Sequence, residues 1–258
     1  MKTVSRALKL LKLLADHPLR VQDVADELGI HKSSASRLLS TLKKENFVQL
    51  NADRRYEPGY AIFELAHIFR DSLDLRKVAR PYLKKINNLT CETIHLAVPD
   101  NNEVVYIDKL DAKHLIRMYS LVGKRAQFHC TGVGKAILAF LPGEVRNNIL
   151  EKTRLNRYTG STITSRESLI KELNRIREQY LAWDNGEHEE DIYCIAVPIF
   201  DFSNMVIASI SISVTVKYTP IEKLASYERL LKEAALNISK NLGYVHNRDS
   251  QAENQLKG

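Results

Sequence analysis

The 258-residue sequence is poor in the residues that mark several specialised classes of protein. Its three cysteines, Cys91, Cys130 and Cys194, show no CxxC spacing, which argues against a disulfide framework and against a zinc site. Seven prolines and ten glycines are too few for a collagen-like or disordered chain. No apolar run approaches the roughly 20 residues that cross a bilayer, and the N-terminus lacks the apolar core of a signal peptide. These absences predict a reduced, cytoplasmic protein with no metal, cofactor or membrane as partner.

The sequence does contain ample material for a folded core and an excess of positive charge. Hydrophobic residues make up 44% of the chain and charged residues 27%, and the length allows one large domain or two ordinary ones. The formal net charge of +7 favours an anionic partner. Residues 1–72 hold 12 Lys or Arg against 9 Asp or Glu, so the placement of the charges is more informative than their total.

Residues 21–44 have the pattern of a helix-turn-helix, in which the second helix enters the major groove of DNA and the first lies behind it. The first helix ends at Gly29, a residue type that terminates helices in the left-handed conformation. Its start is less favourable, because Arg20 or Val21 stands where Ser, Thr or Asp would cap it, a loss of about 1 kcal/mol. The second helix has an apolar stripe formed by Ala35, Leu38, Leu39 and Leu42.

The polar side of this second helix carries the chemistry of DNA recognition. From His31 to Lys44 there are four Lys or Arg residues and no acid. Lys and Arg neutralise phosphates, Arg can also bind guanine edges, and short hydroxyl side chains allow a close approach. The candidate DNA-binding residues are Lys32, Ser33, Ser34, Ser36, Arg37, Ser40 and Lys44. The alternative is a helical pair that binds nothing and whose charges are merely solvated.

A hairpin after this helix completes a winged helix-turn-helix. Two short extended runs, residues 47–50 and a run that begins at Tyr56, flank the polar turn 51–55. Arg54 and Arg55 in this turn are further candidates for contact with phosphate or the minor groove, although a solvated turn would have the same composition. A rival interpretation is an interaction module that binds protein through the same winged helix.

The first helix, residues 3–15, is more apolar than one packing partner requires. We expect one apolar face to pack on the core; its residues are Val4, Ala7, Leu8, Leu11 and Ala15. The surplus leucines are Leu10, Leu13 and Leu14. This surplus predicts either a dimer contact or burial by the next domain.

The remaining sequence predicts an α+β fold, with a winged helix-turn-helix over residues 1–59, a linker helix over 60–74, an effector domain over 75–246 and a flexible tail over 247–258. The strands predicted for the effector domain are 93–98, 103–108, 115–119, 192–200 and 205–216. The predicted helices are 75–89, 133–141, 143–152, one that ends near Tyr180 and one from Pro220 to about Leu242. Thr164 and Glu167 form a capping box that begins the fourth of these helices.

The strand 206–216 has one apolar face and one face of small polar residues. The second face reads Ile207, Ser209, Ser211, Ser213 and Thr215, and a period of two places its four hydroxyls in a row. Such a row either faces solvent or lines a polar cavity. Cys194 and Ala196 on the partner strand are small enough to leave room for a ligand, and the amides of Thr131 to Lys135 at a helix start suit a carboxylate.

Other chemistries have weaker support. The GVGK run is not a P-loop, because His129 stands where its first glycine belongs and Ala136 replaces the Mg-binding hydroxyl. A lone Cys194 on an apolar strand is more often a core residue than a nucleophile. His188 and its acidic neighbours resemble a metal cluster, but consecutive side chains diverge, so we interpret this loop as solvated and acidic.

Several stretches resemble the IclR family of transcriptional regulators over residues 3 to about 245. The matching stretches are Gly29 to Ser34, Arg37 to Leu39, Tyr56 to Tyr60, Thr131 to Ala136, Asp184 to Glu187, Cys194 to Pro198 and Ile210 to Ser213. Within the family, Glu92 to Leu96, Arg117 to Ser120 and Cys194 to Asp201 are most similar to the KdgR-type regulators of sugar-acid catabolism.

The resemblance implies a GAF-like effector domain with a mainly antiparallel sheet that binds a small carboxylate. The positions that match the family's ligand contacts are Gly132, Val133, Asp184, Cys194, Ser211 and Ser213. His129 and Arg117 are added for their charge and their nearness in sequence, and Asp184, being acidic, is expected to accept hydrogen bonds from effector hydroxyls. Asp191 replaces a glycine common in the family, which predicts a reshaped loop and an altered ligand.

The expected function is therefore a cytoplasmic repressor that binds a palindromic operator in double-stranded DNA as a dimer or tetramer. The expected effector is a sugar acid or keto acid such as 2-keto-3-deoxygluconate. An activator of the same family, or a keto-acid enzyme that uses Cys194, is the alternative.

Overall fold

The computed structural model describes residues 2–65, 74–113, 118 and 120–245. The chain divides into two units, Met1–Leu73 and Asp74–Gly258. The second half of the predicted linker helix, Arg117, most of the predicted strand 115–119 and the predicted tail lie outside the described residues. Within the described part of the chain, no helix is long and apolar enough to span a membrane.

The first unit contains the predicted winged helix-turn-helix. Its helices are α1 (Lys2–Asp16), α2 (Val21–Leu28) and α3 (Lys32–Lys44), and its hairpin is β1 (Val48–Leu50) with β2 (Tyr56–Pro58). Residues 60–65 are helical and are labelled α4. The loop before α2 joins the hairpin, because Leu19 and Tyr56 exchange two backbone hydrogen bonds of 2.9 and 2.7 Å.

The turn between α2 and α3 follows from its sequence. Gly29 has φ of 59°, the left-handed conformation that glycine adopts without strain. The weak N-terminal cap of α2 is partly compensated, because the carboxylate of Asp23 accepts a hydrogen bond from the backbone N–H of Arg20 at 2.8 Å. Asp23 therefore supplies one half of a capping box that a better capping residue would complete.

The prediction for α1 named the wrong core face. Leu10 and Leu14 are buried, whereas Val4 and Leu8 are 66% and 58% exposed. The core of this unit consists of Leu10, Leu14, Leu19, Val24, Ala25, Ala35, Leu39 and Val48. Both faces of α1 are apolar, so periodicity could not decide between them. The surplus apolar row contains Val4 and Leu8 rather than the three leucines named from the sequence.

The second unit is built on a six-stranded, fully antiparallel sheet with strand order β5-β4-β3-β8-β7-β6. The strands are β3 (Thr93–Asp100), β4 (Glu103–Leu110), β5 (Arg125–Ala126), β6 (Ala182–Asn185), β7 (Ile192–Phe200) and β8 (Val206–Thr215). The α+β fold class is confirmed. The short edge strands β5 and β6 were not predicted, because two and four residues give too little alternation to recognise.

The helices of this unit are α5 (Leu75–Thr90), α6 (Gly132–Phe140), α7 (Gly143–Lys152), α8 (Arg166–Gln179), α9 (Ile221–Ser226) and α10 (Glu228–Asn241). Two details correct the sequence prediction. Ser165, not Thr164, caps α8, since its hydroxyl accepts a hydrogen bond from the Ser168 N–H at 3.1 Å. The single predicted C-terminal helix is two helices that meet at Tyr227.

The two faces of the central strand β8 pack against different helices. The apolar face, with Ile210, Ile212 and Val214, is fully buried on the side of α5 and α10. Helix α6 covers the other face, which carries the row of serines. A helix start and a hydroxyl row therefore meet at the middle of the sheet, which is where the candidate ligand site lies.

Candidate functional site

The candidate DNA-binding surface is the outer face of α3. The apolar stripe packs inward, with Ala35 and Leu39 buried. The predicted contact residues are exposed except for Ser34 and Arg55, which are half-buried. Thr41 anchors the helix locally by donating a hydrogen bond to the carbonyl of Arg37 at 3.0 Å.

The cations on this surface are available to a partner. Lys32, Arg37 and Lys44 form no ion pair with another described residue. Arg54 lies at the tip of the hairpin with φ of 54°, in a turn that the Asn51 side chain holds through hydrogen bonds to two backbone N–H groups. Exposed, unpaired cations beside short hydroxyls can neutralise phosphates and approach base edges.

The second candidate site is a cavity of about 60 Å³ between the sheet and the start of α6. Its lining residues are His95, Tyr106, Met118, Ser120, Thr131, Gly132, Val133, Asp184, His188, Glu189, Ile192, Cys194, Ser211 and Ser213. Six of these had been named from the sequence as effector contacts, and the fold gathers them from β6, β7, β8 and α6. Ser211 and Ser213 of the hydroxyl row therefore line a cavity rather than facing solvent, while Ser209 donates to the Val197 carbonyl.

His95 on β3 organises the serines of the cavity. It lies opposite Ser211 in the sheet, and its Nδ1 is 3.4 Å from the Ser211 hydroxyl and 3.2 Å from the Ser213 hydroxyl. Its Nε2 is 2.7 Å from the Ser120 hydroxyl. Burial, aided by the nearby Lys109 ammonium, lowers the pKa of His95 to about 3. The imidazole is therefore neutral, with one donor and one acceptor nitrogen.

The start of α6 approaches the sheet closely because residue 132 is glycine. A Cβ at Gly132 would lie 3.2 Å from the Cβ of Ala196 and 3.5 Å from the Cβ of Cys194. Thr131 caps the helix, since its hydroxyl accepts from the Gly134 N–H at 3.2 Å. The first amides of a helix have no partner within it and carry a partial positive charge, so this end of α6 suits an anion.

Asp184 brings a carboxyl group to the opposite side of the cavity. It pairs with Cys194 across β6 and β7 and is only 3% exposed. Its Oδ1 accepts a hydrogen bond from the Glu187 N–H at 2.8 Å. Burial raises the pKa of Asp184 to about 7, although the Glu187 N–H lowers it.

A buried ion pair supports this end of the cavity. The ammonium of Lys135 on α6 bonds to Oε1 of Glu187, and both side chains are almost fully buried. Thr159 and Thr162 fix the same loop by donating to the carbonyls of Gly186 and Glu187, each at 2.6 Å. The loop interpreted from the sequence as solvated is thus anchored at Glu187, while His188 and Glu189 line the cavity.

The two cysteines nearest the cavity, Cys194 and Cys130, do not have the properties of nucleophiles. Burial raises the pKa of the Cys194 thiol well above its ordinary value, and the nearby Asp184 raises it further. Burial likewise raises the pKa of Cys130. A nucleophilic cysteine needs a lowered pKa or an adjacent base, so the observed environment favours neutral thiols.

One predicted effector contact, His129, does not line the cavity. His129 is buried but does not line it, because its Nε2 is bonded to the Asn156 carbonyl at 3.0 Å. Arg117 lies outside the described residues. Asp191 is at the surface, where it pairs with Lys217 at 2.5 Å. Sequence reasoning missed His95 and Ser120 as site residues. The one available signal was His95 itself, a polar residue between apolar neighbours near the start of β3.

Both units match domains of known proteins. Residues 3–52 match the IclR helix-turn-helix domain, and residues 68–240 match the domain described as bacterial transcriptional regulator IclR C-terminal. The HTH-type transcriptional regulator KdgR of Escherichia coli is 35% identical over 94% of this chain and 94% of its own length. The HTH-type transcriptional repressor AllR of Salmonella typhi is 32% identical over 86% of this chain and 82% of its own. The crystal structure of Thermotoga maritima IclR is 35% identical, with a TM-score of 0.64, over 94% of this chain and 99% of its own.

Proposed function

Because the chain belongs to the IclR family of bacterial transcriptional regulators, we propose that it represses genes of sugar-acid or keto-acid catabolism under the control of a small carboxylate effector. It is a DNA-binding regulator, and control by an effector is typical of the family. The observation that carries the proposal is the cavity, in which helix-start amides, two serine hydroxyls and Asp184 converge. A regulator that binds chromosomal operators works in the cytoplasm.

The proposed DNA interface is the exposed face of α3 together with the hairpin tip. Lys32, Arg37 and Lys44 contact phosphates or base edges, and Arg54 and Arg55 reach the neighbouring backbone or minor groove. Ser33, Ser34, Ser36 and Ser40 allow the helix to approach the groove closely. The assignment is supported by exposure, because all of these side chains except Ser34 and Arg55 are exposed to solvent.

The proposed effector is a short carboxylate. The amides of Gly132 and Val133 bind part of its negative charge, and Ser211 and Ser213 bond to its oxygen atoms. A cavity of about 60 Å³ has room for roughly two water molecules at the density of the liquid. Pyruvate needs little more space than this, whereas 2-keto-3-deoxygluconate requires the cavity to widen on binding. Both acids belong in the first panel of probes.

The protein is proposed to act as a dimer or tetramer. Val4 and Leu8 form an exposed apolar row on α1 that a second copy can cover. Two recognition helices would then reach half-sites roughly 34 Å apart or a multiple of that distance. Sedimentation should give a dimer or tetramer at micromolar concentration, and Leu8→Asp should shift it toward monomer. A wild-type monomer that binds its operator tightly would contradict this assembly.

The effector site is tested by thermal melting and operator binding. A ligand at a hundred times its Kd should stabilise the protein by about 2.7 kcal/mol. The Ser211→Ala, Ser213→Ala double variant should lose that stabilisation, while Ser36→Ala, Ser40→Ala on α3 should retain it. Operator affinity, measured on DNA upstream of this gene and its neighbours, should change by 5- to 150-fold with effector, a coupling of about 1 to 3 kcal/mol.

Two results would refute parts of the proposal. Full ligand stabilisation in the Ser211→Ala, Ser213→Ala variant would show that the effector binds elsewhere. We also propose that the protein has no catalytic activity, because its buried Cys194 thiol is held neutral. Turnover of a keto acid that is lost in Cys194→Ser would contradict this.

A further inference from the structure

Asp184 faces the cavity with one carboxyl oxygen uncommitted. Its Oδ1 accepts from the Glu187 N–H, whereas its Oδ2 has no hydrogen-bond partner in the described part of the chain. The residue as a whole is 3% exposed, and what remains accessible of it faces the cavity that it lines. An oxygen atom in this position is available to a ligand that enters the cavity.

Two lysines near this cavity, Lys135 and Lys109, already have partners. The Lys135 ammonium is bound by Glu187. The Lys109 ammonium donates to the carbonyls of Met118 and Ser120 at 2.9 and 2.6 Å and pairs with Asp111 at 2.8 Å. Among the described lining residues there is no Lys or Arg. An anionic effector would therefore meet an ionised Asp184 with no lining Lys or Arg from the described residues between the two carboxylates.

We propose that Asp184 binds the effector in its protonated form, with its Oδ2–H donating a hydrogen bond to a carboxylate oxygen of the effector, so that binding takes up a proton from solvent wherever Asp184 is ionised in the free protein. This inference rests on the proposed carboxylate site and specifies how that site selects its ligand. The effector enters ionised and stays ionised, and the proton from solvent ends on Asp184. The role differs from the sequence prediction, in which Asp184 accepted hydrogen bonds from effector hydroxyls.

The environment of Asp184 favours its protonated form. Burial raises its pKa to about 7, so the neutral form is already well populated near neutral pH. The charged or titratable groups that face it are Lys135 from α6, Glu187, His188 and Glu189 from the loop after β6, Cys194 from β7, Cys130 before α6 and Tyr106 from β4. Burial raises the pKa of Cys194, Cys130 and Tyr106, which keeps these groups neutral as well.

The test is calorimetric titration of the full-length protein with pyruvate and with 2-keto-3-deoxygluconate between pH 6 and 8.5. If only protein with a protonated Asp184 binds the effector, the Kd should rise by about 30-fold across this range, in proportion to the loss of that binding-competent form. Titrations in two buffers with different ionisation enthalpies should show uptake approaching one proton at pH 8.5. This second measurement needs no variant and is independent of any effect of mutation on folding.

Asp184→Asn is the matched variant, since a carboxamide N–H donates at every pH. Its Kd should be nearly constant over the same range, while His188→Asn should keep the wild-type dependence. A wild-type Kd that does not change with pH would overturn the inference while leaving the carboxylate site intact. Dependence that survives in Asp184→Asn would overturn it by assigning the proton to another group. Failure of both acids to bind at any pH would overturn the carboxylate site and this inference with it.

Discussion

Two rows of serines in this protein have opposite environments. Ser33, Ser36 and Ser40 on α3 are exposed, whereas Ser209, Ser211 and Ser213 on β8 are buried. The buried hydroxyls have protein partners: Ser209 donates to the Val197 carbonyl at 2.8 Å, and the other two contact His95. A hydroxyl in water gains little from a further partner, while a buried one must be satisfied or cost free energy. The same residue type therefore serves an open surface in one unit and a shaped cavity in the other.

The lysines show the same contrast. Lys32 and Lys44 on α3 are exposed and form no ion pair with a described residue, so they can bind a polyanion. Lys135 is buried and bound to Glu187, so its charge stabilises the fold around the cavity. Under the proposed assignments, recognition of DNA relies on solvated charge, which is sensitive to salt, and recognition of the effector relies on groups that folding has already desolvated.

The largest expected effect comes from breaking the buried pair. Lys135→Ala should lower the free energy of unfolding by about 3 to 5 kcal/mol, because it leaves the Glu187 carboxylate buried without its partner. Lys32→Ala should change it by no more than about 0.5 kcal/mol. Calorimetric unfolding measures the change in each variant. The fluorescence of the single tryptophan, Trp183 on β6, reports the unfolding of the second unit. Equal effects of the two substitutions would remove the distinction between the two lysines.

A smaller effect concerns pH. The pKa of Asp184 is about 7 in the folded protein and near 3.8 in the unfolded chain, so its contribution to stability is present at low pH and is lost as pH rises toward 7. At about 1.4 kcal/mol per pKa unit, this loss is at most about 4 kcal/mol. Urea unfolding followed by Trp183 fluorescence should therefore show wild type losing stability relative to Asp184→Asn between pH 4 and 7. A constant difference over that range would contradict the raised pKa.

The exposed surface is tested by its response to salt and sequence. Arg37→Ala should weaken operator binding by about 1 to 3 kcal/mol and relax preference at one base position if Arg37 reads a base. Lys44→Ala should weaken binding evenly across sequences and reduce the salt slope by about one if Lys44 binds a phosphate. Fluorescence anisotropy on an operator and a scrambled duplex separates these outcomes. Unchanged affinity of a variant for both duplexes would place that residue outside the interface.

The smallest effect compares the serines directly. Ser209→Ala should cost about 1 kcal/mol of unfolding free energy, because it removes a buried hydrogen bond to the Val197 carbonyl. Ser36→Ala should cost nothing measurable or stabilise slightly, since alanine is the better helix former on an exposed face. Chemical denaturation at fixed pH resolves a difference of this size when the variants are measured side by side. A larger loss in Ser36→Ala would mean that α3 depends on its hydroxyls for stability.

Several site residues could be predicted from sequence because their signals are local. The apolar stripe of α3 and its basic outer face lie within one helix, and the alternation of β8 places Ser211 and Ser213 on one side. Other residues could not be predicted, because their partners are distant in sequence. His95 meets the serines of β8 only because β3 and β8 are neighbours in the sheet. Lys135 and Glu187 are 52 residues apart, and no local pattern pairs them.

Errors in the sequence interpretation arose where two local patterns fitted the sequence equally well. Helix α1 offers two apolar faces, and only packing shows that Leu10 and Leu14 are inside while Val4 and Leu8 are outside. Thr164 and Ser165 are both acceptable caps, and the backbone of α8 begins after the second. His129 is near the cavity in sequence, yet its hydrogen bond to the Asn156 carbonyl holds it elsewhere.

The sequence by itself determined the two-part organisation, the basic recognition helix and the row of hydroxyls on β8, because helical and strand periods fix which side chains share a face. The sequence could not determine whether those hydroxyls were exposed to solvent or buried. The tertiary structure decided that by placing the start of α6 over β8, where Gly132 has no side chain to prevent close approach. Burial then made His95 neutral and brought the pKa of Asp184 to about 7, properties that depend on desolvation and that no residue has in isolation.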